Sequence, residues 1–348
     1  MAKKETASNG LQELKLAIRQ KEPARLYFFY GEETFLLQHY LGQLRKILID
    51  EMTEAFNFHK LTAETFNMQT FADAVENLPM MAEYTMVWVD EIDIFKLPET
   101  DREKLTEIFS DIPDYCTIVF TFETVPWKPD KRFKQLWESI EKNGTVVEFA
   151  KQEQRDLIVW VTRHFNANKK QITPDLCSYL IDITGGTMTA LAGEISKICA
   201  YSGADIIRKS DIDAVVEPVL DAVVFQMTDL LGQEAYGQAL QKLEQLRKMQ
   251  EAPILILGTI GGHFRRLSTG KTLLENGRAS TELMQLYKIG DYAARKIMSS
   301  AGKFSTRFYA KAAELILETD YKMKTSFDDE NRLLELLILQ LAREARNG

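Results

Sequence analysis

Five short strand-like runs in the first 150 residues, most of them apolar at consecutive positions, constrain the fold of this chain more than any other feature. They are Leu26 to Tyr30, a weaker run from Phe56 to Leu61, Met86 to Val89, Thr117 to Phe122 and Thr145 to Phe149. Successive side chains of a strand point to opposite faces, so a strand can be apolar throughout only where both faces are covered. Between the runs the spacing turns helical. Phe35, Leu36, Tyr40, Leu41, Leu44 and Ile47 recur at three and four residues, and helices also read at about 69–77, 100–109 and 131–142. Strands alternating with helices predict a parallel sheet with helices on both sides.

From Gln152 onward the strand pattern stops. Helices read at about 153–166, 174–184 and 189–201, with Gly185-Gly186 as a break and Ser210 as the expected N-cap of one more. Residues 220–346 are helical again, and the last helix carries Leu333, Leu334, Leu336, Leu337, Ile338 and Leu341. Such a stripe either closes a bundle or packs on a partner. A chain of 348 residues is long for one core. The expected domains are an α/β domain over 1–150, a small helical domain over 151–217 and a second helical domain over 218–348.

Several function classes are disfavoured from the outset. The net charge of −8 opposes a free-standing nucleic-acid binder, whose affinity comes largely from neutralising phosphates. Cys116, Cys177 and Cys199 are far apart, and no histidine lies at ligand spacing from a cysteine or another histidine. No metal site or cofactor is therefore expected. No apolar run reaches the ~18–20 residues of a membrane span, and Met1 to Gly10 is too polar for a signal peptide. A cytoplasmic location is the expectation.

A phosphate-binding loop reads GxxxxGK[ST] after the first strand, where its backbone N–H groups wrap the phosphates and its lysine supplies charge. The corresponding place here is Gly31-Glu32-Glu33-Thr34. Two carboxylates stand where phosphates would sit, and no lysine offsets them. Val87-Trp88-Val89-Asp90-Glu91 has the form of the strand whose acids hold Mg²⁺ and orient water. Without a triphosphate loop, Asp90 and Glu91 read as a remnant of the fold. Thr269-Gly270-Lys271-Thr272 imitates half a phosphate loop, yet Arg265 replaces its first glycine and a helix precedes it. The α/β part thus has the size and rhythm of a P-loop NTPase of the AAA+ type with a degenerate nucleotide site: Gly31, Glu32, Glu33, Asp90 and Glu91.

The segment Leu78-Pro79-Met80-Met81-Ala82-Glu83 joins a helix to a strand, where loops normally lie on the surface. Proline marks the helix exit, and two flexible thioethers follow, side chains suited to a partner's apolar pocket. The alternative is that Met80 and Met81 tuck under their own helix.

These motifs, in this order, resemble the delta-subunit family of the bacterial DNA polymerase III clamp loader. The resemblance runs through LYFFYGEETFLL, NLPMMAEYTMVWVDE, DITGGTMTALAGEISKICAYSG, VFQMTDLLGQEAYGQALQKLEQL and GGHFRRL, and covers essentially the whole chain. It implies a degenerate AAA+ module, a helical lid and a C-terminal collar domain. It also implies a five-subunit ring with the gamma/tau ATPase subunits and delta-prime, acting on primer–template DNA. The delta subunit of that family binds the beta sliding clamp and opens its ring without hydrolysing ATP. Its clamp-contacting apolar pair falls on Met80 and Met81, with Leu78, Pro79 and Glu83 shaping the turn. Many relatives carry an aromatic residue at the position of Met81. Two alternatives remain: a divergent AAA+ ATPase using Asp90 and Glu91, and a DNA-binding adaptor whose candidate contacts are His263, Arg265, Arg266 and Lys271, a cluster whose favoured reading is a face toward a neighbouring subunit or solvent.

Overall fold

The apolar runs form strands that lie side by side in one sheet. In chain order the first part comprises α1 (Ala2–Gln20), β1 (Leu26–Tyr30), α2 (Thr34–Leu48), a four-residue α3 (Glu54–Asn57), β2 (Phe58–Leu61) and α4 (Met68–Glu76). β3 (Thr85–Asp90), α5 (Glu99–Ser110), β4 (Cys116–Phe122), α6 (Lys134–Asn143) and β5 (Thr145–Glu148) follow. The structure is a computed structural model that describes residues 2–347, with side chains for residues 10–346. The chain divides into two compact units, residues 1–152 and 153–348.

The sheet of the first unit has the order β2-β3-β4-β1-β5, and every pairing is parallel. Alternation along β1 separates two cores. Tyr27 and Phe29 face one side with Leu14 of α1 and Leu37, Leu41, Leu44 and Leu48 of α2. Leu26 and Phe28 face the other with Phe71 and Val75 of α4, Leu105 and Phe109 of α5, and Leu136 and Ile140 of α6. Every residue of β4 is buried, as a central strand covered on both faces requires. The α/β expectation holds. Locally, the expected strand from Phe56 starts two residues later, because residues 54–57 coil into α3 and leave Phe56 exposed.

The second unit contains α7 (Gln154–Ala167), α8 (Pro174–Thr184), α9 (Met188–Tyr201), α10 (Lys209–Val215), α11 (Leu220–Leu231) and α12 (Tyr236–Lys248). It continues with α13 (Pro253–Glu275), α14 (Ser280–Tyr287), α15 (Asp291–Ala301), α16 (Thr306–Thr325) and α17 (Glu330–Asn347). The boundary expected at 217/218 falls in the connector between α10 and α11. Ser210 lies inside α10 and is not its cap. The Asp211 carboxylate instead accepts the Arg208 N–H at 2.8 Å, and the helix starts two residues earlier, with Arg208 at its N-cap. α17 buries Leu333, Leu334, Leu337, Ile338 and Leu341 in the core of α11–α17, while Leu336 is exposed together with Leu339. The apolar stripe therefore closes a bundle, and a second, narrower face stays open.

Candidate protein-binding turn and the altered nucleotide site

α4 ends at Glu76, whose carbonyl accepts the Tyr115 hydroxyl at 3.0 Å. Pro79 cannot donate to a helix and disfavours the helical conformation at Leu78, so the chain leaves in extended form. Leu78 is 71% exposed, Met80 53% and Met81 95%. Pro79 is half-buried and Glu83 exposed. Met80 and Met81 therefore do not tuck under α4. Met81 has φ +53°, a left-handed conformation that costs a non-glycine residue about 1 kcal/mol.

One residue that the sequence reading did not single out fixes this turn. Asn57, at the end of α3, is fully buried. Its Oδ1 accepts the Met80 N–H at 2.8 Å, and its Nδ2 donates to the Met80 carbonyl at 2.9 Å. Both hydrogen-bonding groups of one backbone residue are thus held by a single carboxamide.

At the place of the phosphate loop, only three residues separate β1 from α2. Gly31 has φ +139°, and a Cβ there would lie 2.2 Å from the Phe149 carbonyl oxygen. The Glu33 N–H donates to that same oxygen at 2.9 Å, and the Phe149 N–H to the Tyr30 carbonyl at 2.7 Å. Glu33 is buried and Glu32 exposed. Beyond the strand ends lies an open cleft of about 320 Å³, lined by Tyr30, Trp127, Glu32, Glu123, Glu148 and Lys151 among others. Three carboxylates against one ammonium repel a triphosphate. Burial and the neighbouring Glu148 push the Tyr30 hydroxyl up to about 12.

Asp90 and Glu91 already have partners. Asp90 pairs with Lys60 at 2.9 Å and accepts the Thr121 hydroxyl at 2.8 Å. The Thr121 hydroxyl in turn accepts the indole N–H of Trp88, whose ring lies 3.7 Å from the Lys60 ammonium. Glu91, at φ +62°, turns its carboxylate onto the loop after β4. It accepts the N–H groups of Glu123, Thr124 and Val125 and the Thr124 hydroxyl. Partial burial raises its pKa, but these hydrogen bonds, led by that from the Thr124 hydroxyl, outweigh burial and hold it below the usual carboxylate range.

The four candidate DNA contacts do not form one surface. His263 is buried and packs on the Phe225 ring at 5.1 Å, so its assignment as an outward contact is corrected. Burial, reinforced by Arg266 and Lys296, pulls its pKa down to about 3. Arg265 is exposed, Arg266 pairs with Asp221 at 3.3 Å, and Lys271 pairs with Glu275 at 3.7 Å. The Thr269–Thr272 segment lies inside α13, where Gly270 packs against Ala301. Among the described residues, no group of three or more His, Cys, Asp or Glu could hold a metal ion, and no helix is long and apolar enough to cross a membrane. Cys116 and Cys177 are buried free thiols, and burial raises the pKa of both.

Two family models match, one to each unit. The model described as "DNA polymerase III, delta subunit" matches residues 27–150, and that for the "DNA polymerase III delta subunit, C-terminal domain" matches residues 221–341. The chain belongs to the DNA polymerase III delta subunit family. Similarity extends beyond the two matched segments. The DNA polymerase III subunit delta of Bacillus subtilis is 26% identical over 334 residues, covering 94% of this chain and 95% of its own. A probable DNA polymerase III subunit delta of Aquifex aeolicus is 22% identical over 333 residues, 92% of each chain. Among solved structures, the Bacillus subtilis DNA clamp loader delta protein superposes with a TM-score of 0.58 at 24% identity. That likeness covers 95% of this chain and 99% of the other, and shows that the two share a fold.

Proposed function

We propose that this delta-family chain is the clamp-opening subunit of a DNA polymerase III clamp loader. It binds the sliding clamp through the Leu78–Glu83 turn and favours the open ring, without hydrolysing ATP itself. The observation that carries this reading is the presentation of Met80 and Met81. They stand on a turn fixed from behind by Asn57, with Met81 almost wholly in solvent. Burying two methionine side chains in a partner's pocket is worth about 3–6 kcal/mol before association and ordering costs. A ligand that binds the open form of a ring better than the closed form shifts it open, with no chemistry of its own.

In this reading the α/β unit carries the clamp contact, residues 151–217 form a lid and 218–348 a collar. The collar joins the ATPase subunits and delta-prime in a five-membered ring that receives primer–template DNA in the cytoplasm. The acidic cleft beyond Gly31 and the occupied state of Asp90 support leaving ATP to the neighbours. The DNA-adaptor reading is weakened by the burial of His263 and the ion pairs of Arg266 and Lys271.

The test is calorimetric titration of the full chain against its cognate sliding clamp, with and without ATP. Binding independent of ATP, and lost in the Met80→Ala, Met81→Ala double variant, is the expected result. Undiminished binding by that variant, or saturable ATP binding by the chain alone, would overturn the reading.

A further inference from the structure

We infer that Asn57 is a positioning residue for partner binding: its carboxamide holds the Met80 backbone so that the two methionines are presented in a preset geometry. The inference rests on the reading of the turn as the clamp-binding element, and adds a residue outside that turn.

Three features support it. First, Asn57 is fully buried, where a polar side chain is costly unless its hydrogen bonds are made. A surface turn such as Met80's could take its hydrogen bonds from water. Here the N–H and C=O both go to one side chain 23 residues earlier in the chain. The partners also settle the amide's orientation, because exchanging its N and O would set donor against donor and acceptor against acceptor.

Second, α3 is itself anchored. Glu54 pairs with Arg45 of α2, and the Arg45 guanidinium lies 4.2 Å from the Phe58 ring at the start of β2. Met80 is therefore tied through Asn57 to a helix and a strand of the unit's frame. Third, Met81, the next residue, is left-handed and exposed. An exposed methionine in a disfavoured conformation needs a restraint beside it, and the two bonds at Met80 supply one. A pre-set turn binds more tightly than a loose one because its ordering cost is met on folding.

The experiment compares full-length wild type, Asn57→Leu and the Met80→Ala, Met81→Ala variant. Affinity for the cognate clamp is read by calorimetry, and amide hydrogen exchange is followed at Met80, Val87 and Val119. Asn57→Leu keeps the shape of the side chain and removes both bonds. Its clamp affinity is expected to fall about tenfold, with faster exchange at Met80 and unchanged exchange at Val87 and Val119. Should Asn57→Leu fail to fold, Asn57→Ala removes the same two bonds with a smaller, uncharged side chain, and is expected to show the same fall in affinity and the same faster exchange at Met80. Wild-type affinity with a freed Met80 amide overturns the inference, as does unchanged exchange at Met80. An affinity loss that tracks faster exchange throughout the sheet overturns it too, by making Asn57 merely structural. If the methionine variant binds as wild type does, the reading of the turn fails instead.

Discussion

The carbonyl oxygen of Phe149 stands 2.2 Å from the point where a Cβ on Gly31 would be. β1 and the chain leaving β5 thus close on each other at the C-terminal ends of the two strands, at the spot where a phosphate loop would have to open. Gly31→Ala meets both a backbone clash and a φ of +139°. It is expected to cost about 2–4 kcal/mol of first-unit stability. Urea denaturation in a Trp160→Phe background, where the remaining Trp88, Trp127 and Trp137 all report on the first unit, checks it by fluorescence, and a change below 0.5 kcal/mol would count against this packing.

Stability and binding should separate at Met81. Replacing it with glycine relieves the left-handed backbone but adds freedom to the unfolded chain, two effects of about 1 kcal/mol and opposite sign. Met81→Gly is expected to leave stability within about 0.5 kcal/mol of wild type while clamp affinity falls at least ~10-fold. Parallel melting and clamp titration test the separation. A variant that loses both together would place Met81 in the chain's own core.

His263 gives the second unit an acid sensitivity. Its pKa is held at about 3 in the fold by burial, Arg266 and Lys296, and returns to about 6.5 on unfolding. Between those values the unfolded chain binds the extra proton. The stabilisation is complete above pH ~6.5 and is lost as pH falls toward 3, at no more than about 1.4 kcal/mol per unit. His263→Gln should flatten the dependence of the helical unit's unfolding midpoint between pH 7.5 and 5.5. An equally steep slope in the variant would assign the effect to other groups.

Glu91 distinguishes a structural carboxylate from a catalytic one. Glu91→Ala strands the N–H groups of residues 123–125, partly rescued by water because Thr124 is exposed. The expected loss is about 2 kcal/mol, with no effect on nucleotide binding. Because the folded pKa is depressed, this stabilisation is complete above the ordinary carboxylate range and is lost as pH falls from that range through the lower folded value. Denaturation at pH 7 and pH 3, alongside an ATP-binding assay, measures both quantities.

What could be read from the residues depended on whether their partners were near in sequence. The strands were legible because apolar runs such as Thr117–Phe122 admit few other placements. His263 reads as outward beside Arg265 and Arg266, although helical spacing aligns it with Ile256, Ile260 and Leu267 on the buried side. That signal was available. Asn57 left none, since one asparagine after an apolar phenylalanine says nothing about a backbone 23 residues on. The methionine turn was legible as a candidate, but only the structure separates exposure from tucking. Phe56 misled in the same way, an aromatic that extends a strand on paper and faces solvent in the fold.

The Lys60 ammonium beside Asp90 also bears on metal binding. A divalent ion arriving at that carboxylate would find the place taken by a cation the chain itself supplies, braced on the Trp88 indole. Binding there would have to displace a charge already in contact, so Lys60 acts as a resident counter-ion that weakens the carboxylate's pull on any second cation.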